Sequence, residues 1–268
     1  MNDEFVRVGA LTDVNSYPIW AQQMVHDCSE AKRRVVQHEV FQMMREGRIE
    51  HRVARNFLVF GWPVIEQFPQ YMALNLRKIQ YGRNQGQDMA RKYLIHNIRV
   101  EQNHADLWVA WAAASGVGRE DLLYGPVHPE AHALSHWCWY TCERDTLPAS
   151  MAATNYAIEG VTGEWCLEVC SSDAYENMFE PSERKKAMKW LKVHAQYDDT
   201  HPWEALEIIC TLMGENPTAR GVALLQSSIR KSYEYLRMSL DHSLLMETTG
   251  SRHVFSVPPI QQLELKRA

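Results

Sequence analysis

Glycine and proline are scarce in this 268-residue chain: 13 Gly and 11 Pro are about 9% of it, against a usual ~12%. That shortage disfavours a turn-rich sandwich or barrel and points to long helices. Positive charge is not in excess either. Lys and Arg number 28 against 33 Asp and Glu, a formal net charge of −5, which argues against nucleic acid or an anionic membrane surface as the main partner. The six cysteines contain no C-x-x-C pair; Cys138/Cys142 and Cys166/Cys170 are each spaced by four, inside helical stretches, so neither a zinc knuckle nor a disulfide framework is expected. The longest uncharged apolar run, 56–65, is about half a membrane span and holds Gly61 and Pro63. Residues 1–15 carry acidic side chains and no apolar core, so no secretory signal is expected. The expectation is a reduced, soluble, cytoplasmic protein without a membrane partner.

What is present is an ordinary globular composition, 46% hydrophobic and 23% charged, with 12 His, 12 Met and 9 Trp. Pro and Gly punctuate the chain into helical blocks without repeats. Ser16-Tyr17-Pro18 opens the first, which Gly47 stops. The next run over 50–81, with Pro63 and Pro69 expected to bend or interrupt it, and over 88–115. After a loop at 124–128 come 129–144, 148–178, 181–199, 202–214 and 217–247. Seven or eight helices with short connections predict one all-α bundle over 1–268, with 1–15 an extension and 248–268 a weakly ordered tail.

Polar residues interrupt the apolar stripes of three blocks. Leu94, Ile98, Glu101, Ala105, Trp108 and Ala112 recur at spacings of three and four, the signature of a buried helix face. Glu101 sits in that stripe and His104 lies three residues on, forming E-x-x-H. A second stripe runs Ala187, Leu191, His194, Asp198, His201, its last three members all metal-ligand types. A third, Ala152, Tyr156, Glu159, Gly163, Cys166, Cys170, carries Glu159 at its centre, and Gly163 is expected to admit close approach. Glu66, among Trp62, Ile65, Phe68 and Tyr71, is a candidate supporting acid.

A buried carboxylate costs several kcal/mol unless it is compensated. Carboxylates with imidazoles suit iron or manganese. Six such groups, Glu101, His104, Glu159, His194, Asp198 and His201, are generous for one ion and natural for two. Any one of them alone reads equally as a core histidine or an i,i+3 pair; together on inward stripes they favour a metal site. The tryptophans read as core filling. A cysteine nucleophile at Cys166 or Cys170, and a second histidine cluster at His128, His132 and His136, are the weaker candidates.

The segments SYPIWAQQ, NIRVEQNHADLW, ALSHWCW, AATNYAIEG, TGEW and AMKWLKVHAQYDDTHPWEALEII resemble the haem-oxygenase-like diiron oxidases, whose seven-helix architecture is shared with TenA proteins and the quinone-cofactor synthase PqqC. Within that family the resemblance is greatest to the UndA-type fatty-acid decarboxylases. It spans 16–235. It implies that the six residues above bind Fe(II), two ions, with O2 as co-substrate and an external reductant. It further implies oxidative decarboxylation of a medium-chain fatty acid, dodecanoic acid for example, to 1-undecene and CO2, and a homodimer. Cofactor-free PqqC and a thiaminase-like TenA would not need the full ligand set. Two other readings keep the residues: a related diiron oxidase acting on an amino acid, and a non-enzymatic iron-binding helical protein.

Overall fold

The computed structural model describes residues 4–125, 128–197 and 200–245, and of Tyr197 only the backbone. The expected tail at 248–268 lies outside the described residues, as does Asp198. Among the described residues there is no strand. The helices are α1 Ile19–Val36, α2 Glu39–Arg45, α3 His51–Leu76, α4 Gln85–Glu101, α5 His104–Ala114, α6 Arg119–Tyr124, α7 Pro129–Arg144 and α8 Leu147–Met151. A π-helical turn, Ala152–Tyr156, leads into α9 Ala157–Cys170. Then come α10 Ala174–Asn177, α11 Arg184–Tyr197, α12 His201–Met213 and α13 Ala219–Leu245. None of them is long and apolar enough to cross a membrane.

The all-α expectation holds, but the blocks are subdivided. The first breaks at His38, whose Nδ1 accepts from the Val40 amide and caps α2 while Nε2 meets Asp241 on α13 at 3.0 Å. Between the block expected to end at 115 and the loop expected at 124–128 lies a further helix, α6, capped by Asp121, whose carboxylate accepts from the Gly118 amide. The stops at Gly47 and Gly214 are where expected, at φ +64° and +76°, the left-handed region that glycine enters without a Cβ penalty. Residues 4–15 do not hang free: Phe5 is buried against Tyr17, and Arg7 pairs with Glu207 on α12 at 3.0 Å.

Of the two outcomes expected at Pro63 and Pro69, a bend or an interruption, the second does not occur: α3 is continuous over 26 residues. Each proline leaves one carbonyl without an amide partner, and packing carries the helix through. Its inward face buries Phe57, Leu58, Val64, Phe68, Tyr71 and Met72, and the Trp108 indole donates to the Leu58 carbonyl at 3.0 Å.

The packing pairs that matter for function are α11 with α5 and α9, and α12 with α4 and the π-turn. These bring the α4–α5 junction, the start of α9, the inner face of α11 and the first residue of α12 to one interior region. Gly61 sets the approach of α3 to this region. A Cβ there would stand 2.8 Å from the Trp108 ring. Alanine ordinarily favours a helix over glycine by about 1 kcal/mol, yet here overpacking, typically about 1–3 kcal/mol, outweighs that gain. Gly61→Ala is therefore expected to lower stability by about 1–2 kcal/mol, read as a lower urea midpoint at unchanged slope.

Candidate metal centre

Helix α4 ends at Glu101 and α5 begins at His104, so the E-x-x-H pair straddles a kink rather than lying on one helix as its spacing suggests. Gln102 and Asn103 stay in the right-handed region, at φ −56°, ψ −25° and φ −90°, ψ −14°. The chain therefore tightens without reversing. Both side chains are buried, and His104 Nδ1 lies 2.7 Å from Glu101 Oε2. An ionised carboxylate only accepts, so Nδ1 carries the hydrogen and Nε2 is left for another partner.

Glu159 follows the π-turn. Its Oε1 accepts from Asn155 Nδ2 at 2.6 Å, and its Oε2 lies 3.3 Å from the Tyr93 hydroxyl. That hydroxyl is also 3.3 Å from the His201 carbonyl, and His201 Nδ1 stands 3.8 Å from Glu159 Oε2. Neither Asn155 nor Tyr93 was singled out from the sequence. The signal was present: Asn155 precedes Glu159 by four residues, and a polar pair at that spacing on an apolar stripe is a hydrogen-bonding unit. A close approach is seen at Gly160, where a Cβ would come within 3.1 Å of Pro202.

On α11, Ala187, Leu191 and His194 face inward as the stripe requires. His194 Nδ1 lies 2.8 Å from the Trp190 carbonyl. A carbonyl can only accept, so this bond fixes the tautomer with its lone pair on Nε2. The imidazole stacks on the Trp190 ring at 3.8 Å and approaches the His104 ring at 4.4 Å. Burial, reinforced by the neighbouring His104, pushes the His194 pKa down to about 4. His201 is also lowered, first by burial.

Glu101, His104, Glu159 and His194 line one void of about 30 Å³, walled otherwise by Val64, Ile65, Phe68, Ile158, Thr162 and Trp190. That is the room of about one water molecule. His201 adjoins it through Glu159. Among the described residues no three His, Cys, Asp or Glu side chains form a group ready to hold a metal ion. Glu101 is engaged by His104, and Glu159 by Asn155 and Tyr93. The donor set nonetheless fits an iron ion. A neutral imidazole anchored through one nitrogen presents the other as a ligand, and carboxylates beside it supply the negative charge a buried cation requires.

The weaker sequence candidates fall away from this region. Glu66 accepts from Gln70 at 3.3 Å and faces a separate cavity of about 720 Å³, beside Trp62, Asp106 and Arg119. The structure corrects its supporting role because α3 turns it to the opposite side from Ile65 and Phe68. His132 and His136 stack on each other, whereas His128 faces Phe60 and His242. Burial raises the thiol pKa values of Cys28, Cys138, Cys142, Cys170 and Cys210, that of Cys142 to about 12. A buried, raised thiol is a poor nucleophile.

A helical bundle with an internal carboxylate–imidazole cluster defines a class of haem-oxygenase-like metal proteins. The chain belongs to the family described as iron-containing redox enzyme, whose model matches residues 55–230. A TenA homologue from Pseudomonas syringae pv. tomato is 55% identical, with a TM-score of 0.90 over 91% of this chain and 100% of its own. A TenA homologue from Pyrococcus furiosus shares the fold at 14% identity, with a TM-score of 0.66 over 84% of this chain and 100% of its own. A 4-aminobenzoate synthase from Chlamydia pneumoniae is 26% identical over 70% of this chain and 81% of its own length.

The depressed His194 pKa has a sign that can be checked. The native group ionises near 4 and the unfolded one near 6.5. Between those values the unfolded chain binds a proton that the native state excludes. Stability of the metal-free protein is therefore full above about pH 6.5 and falls as pH drops towards 4, by on the order of 3 kcal/mol. Urea midpoints at pH 7.5, 6 and 5 should show the fall, and His194→Phe should flatten it.

Proposed function

We propose that this protein is an O2-dependent, non-haem iron oxidative decarboxylase that converts a medium-chain fatty acid, such as dodecanoic acid, to a terminal alkene and CO2. The observation that carries this reading is the buried carboxylate–imidazole cluster, built by the same segments whose sequence resembles the alkene-forming decarboxylases. Membership in an iron-containing redox family supports the metal and the reaction class.

Bound iron, two ions in the reading advanced here, would supply the electrons for dioxygen and a Lewis-acidic anchor for the substrate carboxylate. Glu101, His104, Glu159, His194, Asp198 and His201 would hold it. The chain's own contribution is positional. The Trp190 carbonyl keeps His194 in one tautomer and orientation. Asn155 and Tyr93 hold Glu159 so that its charge faces the void. Val64, Ile65, Phe68 and Ile158 exclude water and present the only chemistry an alkyl tail requires. Because the void is about 30 Å³, these side chains must yield as the tail enters. The burial of each CH₂, about 0.8 kcal/mol, offsets that displacement.

The raised thiol of Cys170 argues against that residue as the nucleophile of thiaminase-like chemistry. The Chlamydia relative, a 4-aminobenzoate synthase by name, supports a second reading, an oxidase acting on an amino-acid substrate. That reading needs a further buried charge for an ammonium group, and the remaining walls of the void are apolar apart from Thr162.

Iron(II)-loaded protein given dodecanoate, O2 and a reductant is expected to release 1-undecene, measured in the headspace by gas chromatography. His194→Ala should lose iron and alkene together. An iron-loaded protein that yields no alkene from any C10–C14 acid sinks the decarboxylase reading. Iron uptake without O2 consumption stimulated by any acid would leave an iron-holding protein only.

A further inference from the structure

The proposed reaction fixes an electron count. Forming alkene and CO2 withdraws two electrons from the acid, whereas reducing O2 to water takes four. For dodecanoic acid the balance is C12H24O2 + O2 + 2 e⁻ + 2 H⁺ → C11H22 + CO2 + 2 H2O, so two electrons come from outside. The residues around that region are buried: Glu101, His104, Glu159 and His194 are each no more than 8% exposed. Electrons bound for a metal held there would have these side chains to cross.

Trp190 touches Trp108 and Trp165, and its contact with Trp111 leads toward the surface at α10. The Trp190 ring lies 3.8 Å from His194 and stacks on Trp111 at 5.6 Å with 26° between planes. Trp111 Nε1 donates to the Tyr175 hydroxyl at 3.0 Å. Tyr175, on α10, meets the half-buried Phe179 edge-on at 5.1 Å. Aromatic contact is unbroken from the candidate ligand to the α10 surface. Core filling alone does not account for Trp190. Its Nε1 is buried with no hydrogen-bond partner, at a cost of about 1–3 kcal/mol that phenylalanine or leucine would avoid.

We propose that Trp190 and Trp111 are an electron relay between the α10 surface and the iron site. The inference rests on the iron reading, though not on which acid is the substrate. Trp190 gives one electron to the oxidised site and becomes an indole radical cation, and Trp111 refills it. A one-electron reductant of the ascorbate class, meeting the protein at α10, refills Trp111 across Tyr175. No bond breaks along the relay. No proton leaves Trp190 either, because its Nε1 has no acceptor. The two protons of the balance come from water. Two transfers complete one turnover.

The test is freeze-quench electron paramagnetic resonance after iron(II)-loaded protein meets O2 without reductant. Wild-type protein is expected to show an indole radical that ascorbate removes. Trp190→Phe should lack it while keeping its iron, since His194 is anchored by the backbone carbonyl of residue 190 and not by the indole. Trp111→Phe should keep the radical but lose it to ascorbate at least tenfold more slowly. Trp139→Phe, whose indole instead bonds Gln67, should behave as wild type. The relay is overturned if iron-loaded wild-type protein consumes O2 and forms no indole radical, or if Trp190→Phe matches wild type in signal and decay. Wild-type protein that takes up no iron, measured before O2 is admitted, overturns the iron reading beneath it.

Discussion

The cost of holding carboxylates and imidazoles out of water is the constraint on which the rest of this structure depends. Each unpaired buried charge costs several kcal/mol, so each site residue arrives with a partner: His104 for Glu101, Asn155 and Tyr93 for Glu159, the Trp190 carbonyl for His194. A helical scaffold suits this task because its backbone satisfies itself, leaving side chains alone to be paired. Where the backbone is irregular, it is irregular at the site. Glu101 closes a helix, His104 and His201 open others, and Glu159 follows a π-turn. π-turns are commonly found at functional sites.

That arrangement also explains why fold and chemistry separate in this family. Proteins of 13–14% identity share the bundle, which shows that many sequences can pack these helices. Function resides in which polar groups the inner faces carry. In this chain the inner faces offer imidazole and carboxylate, while burial pushes the thiols of Cys28, Cys138, Cys142 and Cys210 up.

Much of this was legible in the residues. Low glycine and proline content and three- and four-residue periodicity gave the helical class, and buried Glu101, Glu159 and His194 stood out because they interrupt apolar stripes. Other features resisted. The periodicity of 88–115 runs smoothly through Gln102 and Asn103, because the kink keeps both residues nearly helical. The prolines of α3 looked like breaks, since local propensity takes no account of the tertiary packing that holds the helix together. Glu66 sits within an apolar stretch much as Glu101 does, and only the facing of α3 separates them. Pattern locates polar residues on a face; it does not say which partner waits there.

The π-turn before Glu159 has a consequence for how such proteins diversify. A π-turn closes five residues apart instead of four, so it holds one residue more than the α-helix around it. Removing residue 153 or 154 would restore regular winding and rotate the chain before it by about 100° relative to α9, while Asn155 and Glu159 would keep their four-residue spacing. Substitutions change a site gradually, but this one alters it in a single heritable step that leaves the bundle standing. Lineages sharing this scaffold thus have a short mutational road between two settings of the helix that leads into the buried carboxylate.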